Sequence, residues 1–127
     1  MQKFVVDASF VLGFLLPDER RDLIDSVFIN YKEGKIKLIS SPLLSFEVGN
    51  GLRSAFLSKR LTKDGVKENI KLYQGFDIKE TSVDLVKTIE ISLKHNLSFY
   101  DAGYVYIAKK EKAKLLSLDK KLQNLLK

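Results

Sequence analysis

Lys3-Phe4-Val5-Val6-Asp7-Ala8-Ser9 is the stretch that decides the fold. Phe4, Val5 and Val6 form a short apolar run without a helical period, which reads as a buried strand over residues 3–7. Asp7 ends it, and a helical stretch follows as far as a turn at Pro17. The pattern returns downstream. Ile36 to Ile39 reads as a second strand, Phe76-Asp77-Ile78 as a weak third, and Lys114 to Leu118 as a fourth that ends in Asp119. Helical segments fill the gaps. Asp18 is expected to cap a helix reaching about Lys32, with Leu23, Val27 and Phe28 facing inward and Gly34 stopping it. Ser40-Ser41-Pro42 opens a helix to about Ser58. Thr62 caps a helix from Lys63 to Tyr73, with Val66, Ile70 and Tyr73 on one side. Ser82 begins one ending near His95-Asn96, with Leu85, Ile89 and Leu93 inward. Ser98 begins the next, to about Lys110, and Lys120 to Leu126 forms a last short helix. Strands alternating with helices imply an α/β fold whose parallel sheet is covered on both faces. In such sheets the ligand crevice lies beyond the carboxyl ends of the strands, where Asp7 and Asp119 both fall.

The chain has 127 residues, 45% hydrophobic and 30% charged, which suits one globular domain over residues 1–127. The absence of Cys excludes disulfides, thiolate zinc sites and a cysteine nucleophile. A single His, His95, excludes a site built on two His ligands from one chain. His95 falls near a helix C-terminus and reads as structural. Asp7 interrupts the N-terminal apolar stretch, so it does not read as a signal peptide, and no run is long enough to span a membrane. A soluble, cytoplasmic protein without membrane attachment is the expectation. The net charge of +6 suits a polyanionic partner or a solvated lysine surface.

Against that positive background, Asp7, Glu47, Asp101 and Asp119 sit beside apolar segments, where an unpaired carboxylate costs several kcal/mol. Each has a structural reading as well. Asp7 and Asp119 suit helix N-caps. Ser98-Phe99-Tyr100-Asp101 suits a capping box. Glu47 lies mid-helix, where capping is not available, and Asn50 and Ser54 share its sector. Taken together, the four acids suggest one site for a hard divalent cation. Oxygen donors without nitrogen or sulfur favour Mg²⁺ or Mn²⁺. Such ions activate water and neutralise charge developing on a phosphodiester, so a nuclease needs no His base.

The motifs Val5-Val6-Asp7-Ala8-Ser9, Glu47-Val48-Gly49-Asn50-Gly51-Leu52, Leu97-Ser98-Phe99-Tyr100-Asp101-Ala102 and Leu116-Ser117-Leu118-Asp119-Lys120-Lys121-Leu122 stand in an order that resembles the PIN-domain family, and within it the VapC-type toxin ribonucleases. The resemblance covers the whole length. It implies a three-layer α/β/α sandwich and metal-dependent hydrolysis of RNA. Asp7, Glu47 and Asp101 are implied as principal site acids, with Asp119 completing the set. Ser9, Asn50 and Ser117 match supporting polar positions. A homodimer and a VapB-like antitoxin partner are also implied.

Several features have two readings. Lys59, Arg60, Lys63, Lys67 and Lys71 either steer RNA phosphates or form a solvated face, as do Lys109, Lys110, Lys112 and Lys114. Tyr100, Tyr104 and Tyr106 either stack on bases or join the core. Phe10, Phe14 and Leu15 are expected to exceed what a small core buries, leaving some for an interface. Gly49 and Gly51, unfavourable in a helix, mark close packing or a kink. Rival readings are a non-catalytic PIN-like RNA-binding module, a housekeeping RNA-processing nuclease, and an aspartyl phosphatase of the haloacid dehalogenase type. The phosphatase chemistry wants an Asp two residues after Asp7, where this chain has Ser9.

Overall fold

A computed structural model describes residues 1–18 and 21–125. The elements are β1 (Gln2–Val6), α1 (Ala8–Leu15), α2 (Asp22–Lys32), β2 (Ile36–Ser40), α3 (Leu44–Leu57), α4 (Lys63–Phe76), β3 (Lys79–Glu80), α5 (Leu85–His95), α6 (Phe99–Glu111), β4 (Lys114–Leu116) and α7 (Lys120–Leu125). The four strands form one parallel sheet in the order β3-β2-β1-β4. Helices flank this sheet in a three-layer α/β/α arrangement, as expected. Val5 and Val6 are fully buried, consistent with a strand covered on both faces.

The strand order positions the site. From β1 the chain builds outward through β2 to β3, then returns to lay β4 on the other side of β1. The direction of winding reverses between β1 and β4, which opens a crevice at their carboxyl ends. Val6 pairs with Leu116, so Asp7 and Ser117 leave the sheet side by side.

Several local expectations are corrected. Asp18 does not cap α2. That helix starts behind Arg21 without a side-chain cap, and Asp18 instead accepts a two-pronged ion pair from Arg60, at 2.8 and 3.0 Å. With this start, Ile24, Val27 and Phe28 face the core and Leu23 points outward. Phe76 ends α4 rather than opening a strand. Asp77 follows in a left-handed conformation (φ 51°), and the Tyr31 hydroxyl donates to the Phe76 carbonyl at 2.6 Å. The third strand therefore shifts to Lys79–Glu80. Asp84, not Ser82, caps α5. That helix packs against α6 through its Thr88 and Ile91 side, so Leu85, Ile89 and Leu93 face outward. Thr88 is fully buried on that side. Leu126 lies outside the described residues.

Phe10 and Leu15 do not exceed the core; both are buried. Phe14 and Phe28 pack with ring centroids 4.5 Å apart, and Phe76 closes the group at 5.0 Å from Phe28. Gly51 and Gly49 separate cleanly. A Cβ on Gly51 would stand 2.3 Å from the Leu12 side chain, so α1 and α3 are close because Gly51 is bare. A Cβ on Gly49 would meet nothing within 4 Å. Gly49→Ala is therefore expected to raise stability by up to about 1 kcal/mol, through helix propensity. Gly51→Ala is expected to lose that gain, because Leu12 must move. Urea unfolding of both variants checks this, and equal shifts would contradict it.

Candidate active site

Asp7 is the most buried of the four acids, at 4% exposure. It follows β1 in an extended conformation and caps α1, so the capping and site readings coincide. Its Oδ1 accepts the Phe10 amide at 3.0 Å and the Ser9 hydroxyl at 2.6 Å. Its Oδ2 accepts the Ser117 hydroxyl. The two hydroxyls reach further: Ser9 Oγ accepts the Leu118 amide at 2.9 Å, and Ser117 Oγ accepts the Asp119 amide at 3.0 Å. Through this network the strand end that carries Asp7 holds the loop that carries Asp119. Ser9 and Ser117, read in the sequence as supporting polar residues, are thus its inner contacts.

Glu47 projects from the first turn of α3, not from mid-helix as expected, because the helix starts only at Leu44, and it is partly buried. The Tyr104 hydroxyl donates to its Oε1 at 2.5 Å. Asp101 occupies the first turn of α6, where the Ser98 hydroxyl accepts its backbone amide at 3.1 Å. Asp119 is exposed and starts α7, its Oδ1 accepting the Lys121 amide at 2.8 Å and the Leu122 amide at 3.4 Å. Asn50 is exposed, one helical turn beyond Glu47, and lines the same cleft. Ser54, also on that sector, is exposed and outside the cleft lining.

The acids are electrostatically one group. Burial raises the Asp7 pKa and Asp119 adds repulsion, against the hydrogen bonds from Ser117, Ser9 and the Phe10 amide. Burial also raises Glu47, with repulsion from Asp101 and Asp7, against the Tyr104 hydrogen bond. Asp101 is raised by burial and then by Asp119 and Asp7, against Ser98 and the Lys121 charge. Tyr104 itself is raised far above the ordinary phenol value by burial and by Glu47, so its hydroxyl remains a donor at any working pH. The ion pairs seen among the described residues, Lys3–Glu111, Lys35–Glu33 and Arg60–Asp18, leave the four acids out.

The candidate donor set is all oxygen, which suits a hard divalent cation better than zinc. Among the described residues no three His, Cys, Asp or Glu side chains stand close enough to form a ligand set by themselves. Mg²⁺ asks for less: one or two carboxylates, with waters and substrate phosphate completing its shell. The mutual repulsion among Asp7, Glu47, Asp101 and Asp119 is what a cation would relieve.

Sequence reasoning left Tyr104 between core packing and base stacking. It is buried, at 1% exposure, and its hydroxyl orients Glu47. The available signal was its spacing, one helical turn after Asp101. Tyr100 is exposed and Tyr106 is partly buried against the core.

The raised carboxyl pKa values have a stability consequence. A carboxyl whose folded pKa exceeds its unfolded value binds more protons in the folded state, so stability falls as pH rises through that interval. At neutral pH without metal, the ionised cluster opposes folding. Asp101→Asn is expected to raise the melting temperature of chelator-treated protein at pH 7, and the gain should shrink as the pH falls through the raised folded-state value and be gone below about 4, where the carboxyl is protonated in both states. A thermal-melt series across pH measures it; a lower melting temperature at pH 7 would contradict the reading.

The PIN domain model matches residues 4–126. The chain is 29% identical over 124 residues to Ribonuclease VapC3 of Pyrobaculum aerophilum, covering 94% of this chain and 92% of that protein. The crystal structure of PAE2754 from Pyrobaculum aerophilum superposes with a TM-score of 0.77 at 21% identity, over 99% of this chain and 81% of that one. That likeness concerns the fold. The family match spans the strand ends and helices that carry all four acids, and the chain belongs to the PIN domain family.

Proposed function

We propose that this chain, as one PIN-like domain over residues 1–127, is a divalent-metal-dependent endoribonuclease that hydrolyses RNA phosphodiester bonds. The observation that carries the reading is the hydroxyl network that ties the Asp7 carboxylate to the Asp119 loop and the Tyr104 bond that aims Glu47, with Asp7, Glu47 and Asp101 repelling one another from three separate elements. Structural ion-pair networks put cations among their acids; among the described residues, the cation that lowers one of these acids is Lys121, acting on Asp101. Similarity to a protein named Ribonuclease VapC3 supports RNA as the substrate. The VapC in that name also supports the role of toxin in a type II toxin–antitoxin pair with a VapB-like antitoxin, and a homodimeric state is part of the proposal. The outward stripe of Leu85, Ile89 and Leu93 on α5 offers apolar surface for such a contact.

In this reading Asp7, Glu47, Asp101 and Asp119 hold Mg²⁺ or Mn²⁺. The ion, when bound, lowers the pKa of a water and neutralises charge on the phosphodiester. The chain's own residues prepare the site. Ser9, Ser117 and the Phe10 amide fix the Asp7 carboxylate in one orientation. The Tyr104 hydroxyl fixes Glu47, and the Ser98 cap fixes the start of α6 on which Asp101 stands. Preorganised charge of this kind costs no rearrangement as the reaction proceeds.

Cleavage of labelled single-stranded RNA with Mg²⁺ or Mn²⁺ tests the reading. Activity should disappear in EDTA and fall at least about a hundred-fold in Asp7→Asn. RNA that binds unchanged in EDTA and is never cut would favour a non-catalytic binding module instead. The same metals are expected to raise the melting temperature of the wild type, and to raise it less in Asp101→Asn. Tyr104→Phe should lower kcat with little change in melting temperature if its hydroxyl serves mainly to aim Glu47. A loss of stability without a change in kcat would make it a packing residue only.

A further inference from the structure

Beside the acids lies a cleft of about 530 Å³ between α1, α3 and the start of α6, and Glu47 is part of its wall. Leu12 and Leu43 give it apolar surface, and Asn50 adds a side-chain amide. Two aromatic side chains from different elements, Phe46 of α3 and Tyr100 of α6, also line it. Neither serves the core. The buried face of α3 consists of Leu44, Val48, Leu52 and Ala55, while Phe46 is 76% exposed. Tyr100 is 54% exposed, whereas Tyr104, one turn on, is buried.

We propose that this cleft is a nucleobase subsite, in which an unpaired base next to the scissile phosphate packs against Phe46 and Tyr100. The proposal rests on the ribonuclease reading and names which part of the substrate the site holds besides the phosphate. A phosphodiester at the acids carries a nucleoside on each side, so a cleft that shares Glu47 with the acid group lies one nucleoside away. A base offers π-faces to the two rings and a polar edge to the Asn50 amide, which both donates and accepts. Paired RNA buries its base faces within the stack, so the subsite selects single strands.

The test compares wild type, Phe46→Ala, Phe46→Trp, Tyr100→Ala and Tyr100→Phe on a single-stranded RNA and on versions lacking one base at a time. Both rings are exposed, so the fold should hold, and thermal melts verify it. Each alanine variant should lower kcat/KM on the order of ten-fold, mainly through KM, and Phe46→Trp and Tyr100→Phe should restore it. In wild type, removing a base adjacent to the cut bond should cost a similar factor. In Phe46→Ala the same removal should cost little more, the non-additivity expected of groups in contact. Wild-type cleavage with unchanged kcat/KM in both alanine variants would overturn the subsite and leave the ribonuclease standing. Loss confined to antitoxin binding would also overturn it, assigning the rim to a protein. If wild type cuts no RNA, the ribonuclease reading fails, and 2-aminopurine fluorescence in a single strand decides the subsite. Quenching that vanishes in Phe46→Ala would retain it; no quenching would overturn it.

Discussion

The buried carboxylate of Asp7 is the interaction on which the rest of the site depends. It ends the central strand, caps the first helix through the Phe10 amide and takes up the hydroxyls of Ser9 and Ser117. Those hydroxyls in turn hold the amides of Leu118 and Asp119. One side chain thereby ties β1 and α1 to the segment after β4, across more than a hundred residues of sequence. A buried charge survives only with such partners, because each missing hydrogen bond would leave a desolvated oxygen uncompensated.

These partners do not make the carboxylate comfortable. Burial and the neighbouring acids still push Asp7, Glu47 and Asp101 upward, so the folded chain carries electrostatic strain at the end of its sheet. The chain as a whole is basic, yet its cations stand largely elsewhere: Arg60 is engaged by Asp18 and Lys3 by Glu111. A negative site on a positive molecule is suited to a polyanion whose backbone meets a cation at the acids. The closeness of α1 and α3, permitted by Gly51, sets the wall that joins the acid group to the neighbouring cleft.

Much of this architecture was legible along the chain. The β1, β2 and β4 runs, the Thr62 and Ser98 caps and the four acids all have local causes: an apolar run, a hydroxyl before a helix, a charge beside a strand. Each misreading had its own physical origin. Leu85, Ile89 and Leu93 keep a helical period, and so does the opposite side of α5 through Thr88 and Ile91. Which side turns inward depends on how α5 packs against α6, and the side with Thr88 is the buried one. Leu23 lost to Ile24 because the start of α2 moved to Asp22. Phe76 lost its strand because Asp77 accepted a left-handed turn.

By itself the sequence determined the element alternation and the parallel sheet, because these follow from period and caps, and it singled out the four acids as candidates through the cost of charge beside apolar surface. Tertiary structure alone decided that β4 returns beside β1 and sets Ser117 against Asp7. It also decided that Tyr104 serves Glu47, and that Phe46 and Tyr100 share one cleft. Such pairings join residues far apart in the chain, and the distance between them is a property of how the elements pack, which no local pattern encodes.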